Sequence, residues 1–289
     1  MRLQPTRKAA RLKRDVSHQR KRSPMSILKS ALIKASGNRF MQSLLEKNVQ
    51  TSQYLMGIGS GGGVLSSGEQ AIFHVLKKRT QPPYCIFDVG SNKGQFLQLI
   101  LENLAADDFR IHCFEPGHET FKMLAESFNK DERIKLNNIG LGKQTGEAVL
   151  HYDNCGSGLA SLTKRKLDHF SIDFSKSEKV VINTIDDYCE ENAIDHIHLL
   201  KIDIEGHELD ALAGAKRMFA ARSIDIVTFE FGGCNIDTRT FFQDFWYFFN
   251  QANFKLFRIT PSGYLHPLES YKELYEQFRT INFMAVANG

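Results

Sequence analysis

The 289-residue chain has no run of 18 or more apolar side chains. A helix crossing a bilayer needs about 20, so no membrane span is expected. Its five cysteines (Cys85, Cys113, Cys155, Cys189 and Cys234) include no Cys-x-x-Cys pair. That scatter argues against a disulfide framework or a zinc cluster, and points to free thiols in a reducing cytoplasm. The phosphate-cradling sequence Gly-x-x-x-x-Gly-Lys-[Ser/Thr] is missing, which removes the P-loop enzymes. No internal repeat is present. What remains, at 42% hydrophobic and 24% charged residues, is the composition of a protein able to bury a full core.

Acidic side chains are scarce where the chain begins. Residues 1–24 hold nine Arg or Lys against Asp15 alone, a net +8, so the other 265 residues carry −4 of the overall +4. A basic tail suits nucleic acid or an acidic membrane surface, but a disordered leader ahead of a working start at Met25 is the preferred reading. It lacks the continuous apolar core of a secretory signal. Residues 25–80 read as a helical segment with a glycine-rich loop. Leu28, Leu32, Leu44 and Leu45 fall at helical spacing with lysines between them. Packing against the main domain is expected for that stripe, and a peripheral membrane contact through 1–48 is the alternative. In GIGSGGGVLSSG, Gly57, Gly59 and Gly62 match Gly-x-Gly-x-x-Gly but follow no strand. This stretch reads as a flexible loop before a helix at 68–78 capped by Ser66 or Ser67, with a lid over a cofactor as the alternative.

Residues 81–289 alternate strand and helix. YCIFDV (84–89), RIHCFE (110–115), RIKLNNIGL (133–141), HIHLLKID (196–203) and IDIVTFEF (224–231) read as strands, most with a helix after them. NFKLFRI (253–259) and INFMAVA (281–287) read as an antiparallel pair. The expected fold is α/β and Rossmann-like: a mostly parallel seven-stranded sheet, helices on both faces and an antiparallel C-terminal hairpin. An insertion at 145–184 carries two further strands. Ligands of such sheets sit at the carboxyl ends of the strands.

The loop after the first strand, in CIFDVGSNKGQF, is the strongest local signal. A dinucleotide site would carry Gly-x-Gly-x-x-Gly, whereas here Asn92 and Gln95 replace the second and third glycines. Asp88 also precedes the loop, where its charge would repel a pyrophosphate. S-adenosylmethionine has no phosphate; carboxylates suit its ammonium and sulfonium, and the helix N-terminus at Lys93–Gly94 suits its carboxylate. Glu115, ending the second strand, can accept both ribose hydroxyls. Asn137 and Asn138 could meet adenine or ribose, or serve the turn. The fourth strand ends in LLKIDIEGHELDAL, where Asp203, Glu205, His207 and Glu208 fall within six residues. Asp203 is read as a pocket residue, and Glu208 and Asp210 as first-turn acids of a helix. Glu230 adds an acid at the same edge.

DVGSNKG, then FEP, then LLKIDIEGHE with a Gly-Ala helix, resemble the FkbM family of S-adenosylmethionine-dependent methyltransferases over residues 55–287. The resemblance implies a class I methyltransferase fold and methyl transfer to a hydroxyl oxygen of a sugar, a glycan or a natural product. By position, Asp88, Gly90, Ser91, Asn92 and Gly94 would line the methionine part. Glu115 and Asn138 would serve the nucleoside, and Asp203 would lie near the methyl.

An alcohol is a weak nucleophile, so a base must take its proton as attack proceeds. His207 or Glu205 is expected in that role, with Asp203 orienting it or touching the cofactor. No metal is expected, although Asp203, Glu205 and Glu230 are hard ligands of the kind magnesium accepts. The paired His196 and His198 sit at the strand's entry, away from the pocket. Lys164, Arg165 and Lys166 in the insertion could meet a polar acceptor. Phe242, Trp246 and Phe249 are read as a core-facing helix stripe. The competing functions are nucleic-acid methylation through the tail and non-catalytic S-adenosylmethionine binding. Oligomeric state is not legible.

Overall fold

The computed structural model describes residues 24–63 and 66–288, so all but the last residue of the basic leader lies outside the described residues. Two compact units are present, 1–51 and 52–289. The first holds α1 (Pro24–Ala35) and most of α2 (Arg39–Leu55). Asn38 starts α2 by accepting the Met41 N–H on its Oδ1 at 3.0 Å, which satisfies one of the free donors of a first turn. No residue of α2 is buried, and Leu28, Leu32, Leu44 and Leu45 are all exposed.

The second unit opens with the glycine loop and α3 (Ala71–Arg79). α3 starts later than 68, and neither Ser66 nor Ser67 caps it. Its first residue follows Gln70, whose side chain makes no cap, and the Ser67 hydroxyl donates to Glu69 Oε2 at 2.6 Å instead. There follow β1 (Tyr84–Val89), α4 (Gln95–Asn103), β2 (Phe109–Phe114), α5 (His118–Phe128) and β3 (Ile134–Asn137). The third strand read at 133–141 splits: its last two residues form β4 (Gly140–Leu141), and the insertion supplies β5 (Gly146–Tyr152) and β6 (Lys176–Asn183) ahead of α6 (Ile185–Glu191). The chain continues with β7 (Ile197–Ile202), α7 (Glu208–Ala213), α8 (Lys216–Ala220), β8 (Ile224–Phe231), α9 (Cys234–Thr238) and α10 (Phe242–Gln251). It closes with β9 (Phe254–Ile259), β10 (Leu265–Leu268) and β11 (Ile281–Ala287).

The main sheet runs β10-β9-β11-β8-β7-β1-β2-β3. β3, β2, β1, β7 and β8 are mutually parallel, and β11 lies antiparallel between β8 and β9. This is the expected Rossmann-like α/β arrangement, mostly parallel with antiparallel C-terminal strands, but with eight strands among the described residues rather than seven. The extra one, β10, is a four-residue edge strand containing Pro267; proline is tolerated at an edge because it has no N–H to give the ladder. The insertion's β5 and β6 form, together with β4, a separate three-stranded sheet in the order β4-β6-β5.

Burial on both faces explains the continuous apolar strands. Ile86, Leu199 and Ile226 pack with Leu76, Leu97 and Leu124 of α3, α4 and α5. Their alternating neighbours Phe87, Leu200 and Val227 pack with α6, α7 and α10. In α10, Phe242, Phe245 and Phe249 are fully buried and Trp246 packs against the same core, so the aromatic stripe is a core contact. The strand order reverses at β1, which has β2 on one side and β7 on the other. A crevice therefore opens between the loops that follow β1 and β7.

Candidate active site

The loop after β1 needs glycine at two places. Gly90 has φ +83°, and a Cβ there would stand 1.9 Å from the Asp203 carbonyl oxygen. Gly94 has φ +89°, and its Cβ would meet a Phe128 ring carbon at 2.4 Å. Left-handed backbone and close approach together account for the spacing of DVGSNKG. Between them, the Asn92 N–H donates to Glu115 Oε2 at 3.0 Å, and the Gly117 N–H donates to Oε1 at 2.9 Å. Glu115, at the end of β2, is buried and lines the cavity. Burial lifts its carboxyl to about 7, against the pull of those two amides. Each oxygen keeps a lone pair for a further donor.

Asp88 sits elsewhere than the sequence suggested. It is fully buried, beneath the cavity wall rather than on it. Lys201 Nζ lies 3.2 Å from Asp88 Oδ1 and 3.5 Å from Asp203 Oδ2, and donates to the Gly90 carbonyl at 3.3 Å. Burial would depress the Lys201 ammonium, but Asp88, Asp203 and Glu69 hold it above the ordinary lysine range. Lys201, which sequence reasoning missed, is the cavity's buried cation. Its signal was a lone lysine inside the apolar strand LLKI. Asn138 also departs from expectation: its amide donates to the carbonyls of Glu115 at 2.9 Å and Pro116 at 3.0 Å. Asn138 therefore clamps a turn and does not line the cavity.

The turn after β7 gathers most of the expected ionisable groups. Asp203, Glu205 and His207 line the cavity. His207 Nδ1 lies 2.8 Å from Asp210 Oδ2, and its Nε2 lies 3.0 Å from the Thr163 hydroxyl. Asp210 holds the ring rather than merely decorating a helix start, and its own carboxyl is drawn down chiefly by that hydrogen bond. With Nδ1–H given to the carboxylate, Nε2 of the neutral ring is an acceptor, and the Thr163 hydroxyl donates to it. Glu205 takes φ +54° and pairs with Arg165 Nη1 at 2.5 Å; Arg165 also reaches Asp237 at 3.6 Å. Arg165 is thus an internal clamp between the insertion and this turn. Burial, with Asp203 nearby, raises the Glu205 carboxyl, and Arg165 opposes the rise. Glu208 is fully buried and accepts the Ile204 and Gly206 N–H groups at 3.1 and 3.0 Å. It fixes the loop from below, where burial lifts it to about 7.

Two more walls complete a cavity of about 980 Å³, large enough for a nucleotide-sized ligand and a second small molecule. The insertion contributes Ser157–Leu162. The glycine loop contributes Gly61, Gly62, Gly63 and Ser66, followed by Glu69. Glu69 was not anticipated. It is buried, and burial raises it to about 7, partly offset by Ser67 and Lys201. Glu230 of β8 also faces the cavity; burial and then Asp203, Glu205 and Glu208 push its carboxyl up.

Among the described residues, Glu205, Glu230 and Cys234 bring one donor atom each within 4.8 Å of one another. Glu205 is already paired with Arg165, and burial drives the Cys234 thiol up. The all-oxygen trio Asp203, Glu205 and Glu230 is not what the fold gathers. His196, His198 and Asp225 cluster at the strand entries, but His198 Nδ1 accepts the Cys85 N–H at 2.9 Å. The neutral ring therefore carries its proton on Nε2, leaving that nitrogen no lone pair for a metal. The five cysteines are free, and no helix among the described residues is long and apolar enough to cross a membrane.

Residues 88–256 match the Methyltransferase FkbM domain. Over 150 residues the chain is 27% identical to the 2-O-methyltransferase NoeI of Sinorhizobium fredii, covering 47% of this chain and 59% of that protein. Over 166 residues it is 25% identical to the hexuronic acid methyltransferase AglP of Haloferax volcanii, covering 56% of this chain and 62% of the relative. The matches thus span about three-fifths of each relative's length. A crystal structure of Methyltransferase FkbM from Methylobacillus flagellatus aligns at TM-score 0.41 and 16% identity, covering 84% of this chain and 60% of the other. With more than half of its length matched to the domain, the chain belongs to the FkbM methyltransferase family.

Proposed function

We propose that the protein is an S-adenosylmethionine-dependent O-methyltransferase acting on a hydroxyl of a sugar or a related small acceptor. The observation that carries this reading is the charge of the cavity wall. Glu69, Glu115, Asp203, Glu205 and Glu230 converge on one space at the carboxyl edge of the sheet, with Lys201 at its base. Carboxyls held up by burial regain their charge beside a cation, so such a wall suits a cationic, phosphate-free nucleotide better than a diphosphate. The relatives' names, a 2-O-methyltransferase and a hexuronic acid methyltransferase, support a sugar hydroxyl as the acceptor.

The donor set fits that cofactor. Glu115 has an open lone pair on each oxygen for ribose hydroxyls. Glu69 and Asp203 offer carboxylates to the ammonium, and the backbone of Ser91–Gly94 lines the amino-acid end. When bound, S-adenosylmethionine supplies a methyl group on a sulfonium leaving group.

The chain's own residues then have three tasks. Asp210 fixes the His207 ring so that Nε2 faces a hydroxyl, a place Thr163 fills here. An acceptor hydroxyl that replaces Thr163 at Nε2 can pass its proton to His207 as its oxygen attacks. Glu205, locked by Arg165, and the Ser157–Leu162 segment position the acceptor and exclude water.

Incubation with S-adenosylmethionine and a panel of nucleotide sugars and glycans tests the reading. S-adenosylhomocysteine release and a methyl-sized mass gain on one acceptor are expected. Cofactor binding with no turnover on any hydroxyl acceptor would favour the non-catalytic alternative. Activity on nucleic acid that vanishes on deleting residues 1–24 would favour the other.

A further inference from the structure

The molecule separates its charge sharply. Residues 1–51 contain thirteen Lys or Arg against Asp15 and Glu46, a net +11, so the remaining 238 residues sum to −7. The same 51 residues carry a row of uncovered apolar side chains. Leu28 and Leu32, one turn apart on α1, are each 62% exposed, and Phe40 at the start of α2 is 76% exposed. Leu44, one turn on from Phe40, is exposed, as are Leu45 and Val49, themselves one turn apart. On a helical projection these α2 residues lie within one half of the circumference, which Asn48 interrupts, while Arg39, Gln42, Glu46 and Gln50 lie in the other.

An exposed apolar half-cylinder beside a strong positive charge is the pattern of a helix lying in a lipid interface. Each feature selects against a rival occupant. Two copies meeting face to face would bring two +11 segments together, which opposes association. Nucleic acid would satisfy the charge but leave the leucines in water. An anionic bilayer satisfies both, taking the apolar side chains among its acyl chains and the lysines and arginines at its headgroups.

We infer that residues 1–51 dock the protein on an anionic membrane surface, with Leu28, Leu32, Phe40 and Leu44 entering the lipid. Such docking needs no helix that crosses the bilayer, and none among the described residues is long and apolar enough to do so.

Co-sedimentation of the full-length protein with vesicles tests this, comparing pure phosphatidylcholine with phosphatidylcholine containing phosphatidylglycerol. Partitioning at least about tenfold stronger onto the anionic vesicles is expected. Raising salt from about 0.1 M to about 1 M should weaken it. The fourfold variant Leu28→Ser, Leu32→Ser, Phe40→Ser and Leu44→Ser should lose most of it while keeping the unfolding midpoint of the main unit. Equal binding to both vesicle types, or undiminished binding by the serine variant, overturns the proposal. So does a concentration-dependent dimer, seen by light scattering, that the serine variant abolishes, because the apolar face would then belong to a second copy.

Discussion

The Lys201 ammonium lies 3.2 Å from the Asp88 carboxylate, across two strands that are adjacent in the sheet but more than a hundred residues apart in the chain. Asp88 is fully buried, and among the described residues neither of its oxygens has a hydrogen-bond partner. Lys201 is therefore what makes its charge tolerable. Breaking one side of a buried pair leaves an uncompensated charge, at a cost of about 3–5 kcal/mol. Lys201→Met should lose that much in denaturant unfolding, and adding Asp88→Asn should restore a substantial part. Equal stability of Lys201→Met and the parent would mean the pair is not the support of this edge.

The Asp210–His207 contact gives a kinetic prediction. His207→Ala should lower turnover by about 10²–10⁴-fold, the usual share of a general base, with S-adenosylmethionine affinity little changed. Asp210→Asn, which can no longer fix the ring as a carboxylate does, should lower kcat in the same direction by less. If His207→Ala keeps normal turnover while Glu205→Gln abolishes it, the base is Glu205.

Burial holds Glu69, Glu115 and Glu208 near 7 in the fold, against an ordinary carboxyl at 4.5. Carboxyls raised by folding favour the protonated native state. Their contribution is fully present below about pH 4.5 and is lost as pH climbs to about 7. Urea unfolding should therefore show stability falling between pH 5 and pH 7. Glu208→Gln can still accept from the Ile204 and Gly206 amides, and should flatten that slope. A slope unchanged in this variant would contradict the assignment.

Cofactor binding reads the same groups differently. A bound ammonium beside Glu69 stabilises its ionised form, so binding near pH 6.5 should release protons. Calorimetry in buffers of differing ionisation heat measures that release. Glu69→Gln should reduce it and weaken affinity by about tenfold, the loss expected when one charge-assisted hydrogen bond is removed.

Two glycines separate steric need from composition. Gly90→Ala forces a Cβ to 1.9 Å from the Asp203 carbonyl at φ +83°. It should cost at least about 1–3 kcal/mol and abolish cofactor binding. At Gly62 a Cβ meets nothing within 4 Å, so Gly62→Ala should be close to neutral. Thermal melts and cofactor titration of the two variants compare them directly.

What the sequence disclosed was local. DVGSNKG declares itself because strand, turn and helix are contiguous, and IDIEGHE because its acids crowd one turn. The five parallel strands and the reversed β11 followed from apolar runs. The relationships that cross the sheet were hidden. Lys201 meets Asp88 only because β7 lies beside β1, and Glu69 reaches the cavity only because the glycine loop passes close to β9. Asp88 was misplaced because a strand's last residues alternate faces and depth in ways a motif does not record. Asn138 turned inward for the reason the turn reading gave, since its amide suits the freed carbonyls of a chain reversal. Ser67 failed as a cap because the helix starts only at Ala71, which puts Gln70 at the cap position. β10 escaped notice because four edge residues with a proline carry too little pattern.

Titration of the full-length protein with S-adenosylmethionine and, separately, with NAD weighs the carboxylate-walled cavity most directly. Saturable one-to-one binding of S-adenosylmethionine, with no heat from the dinucleotide, is the expected result. Tight binding of NAD, or no uptake of S-adenosylmethionine by the folded protein, would contradict the reading of this cavity as a site for a cationic nucleotide.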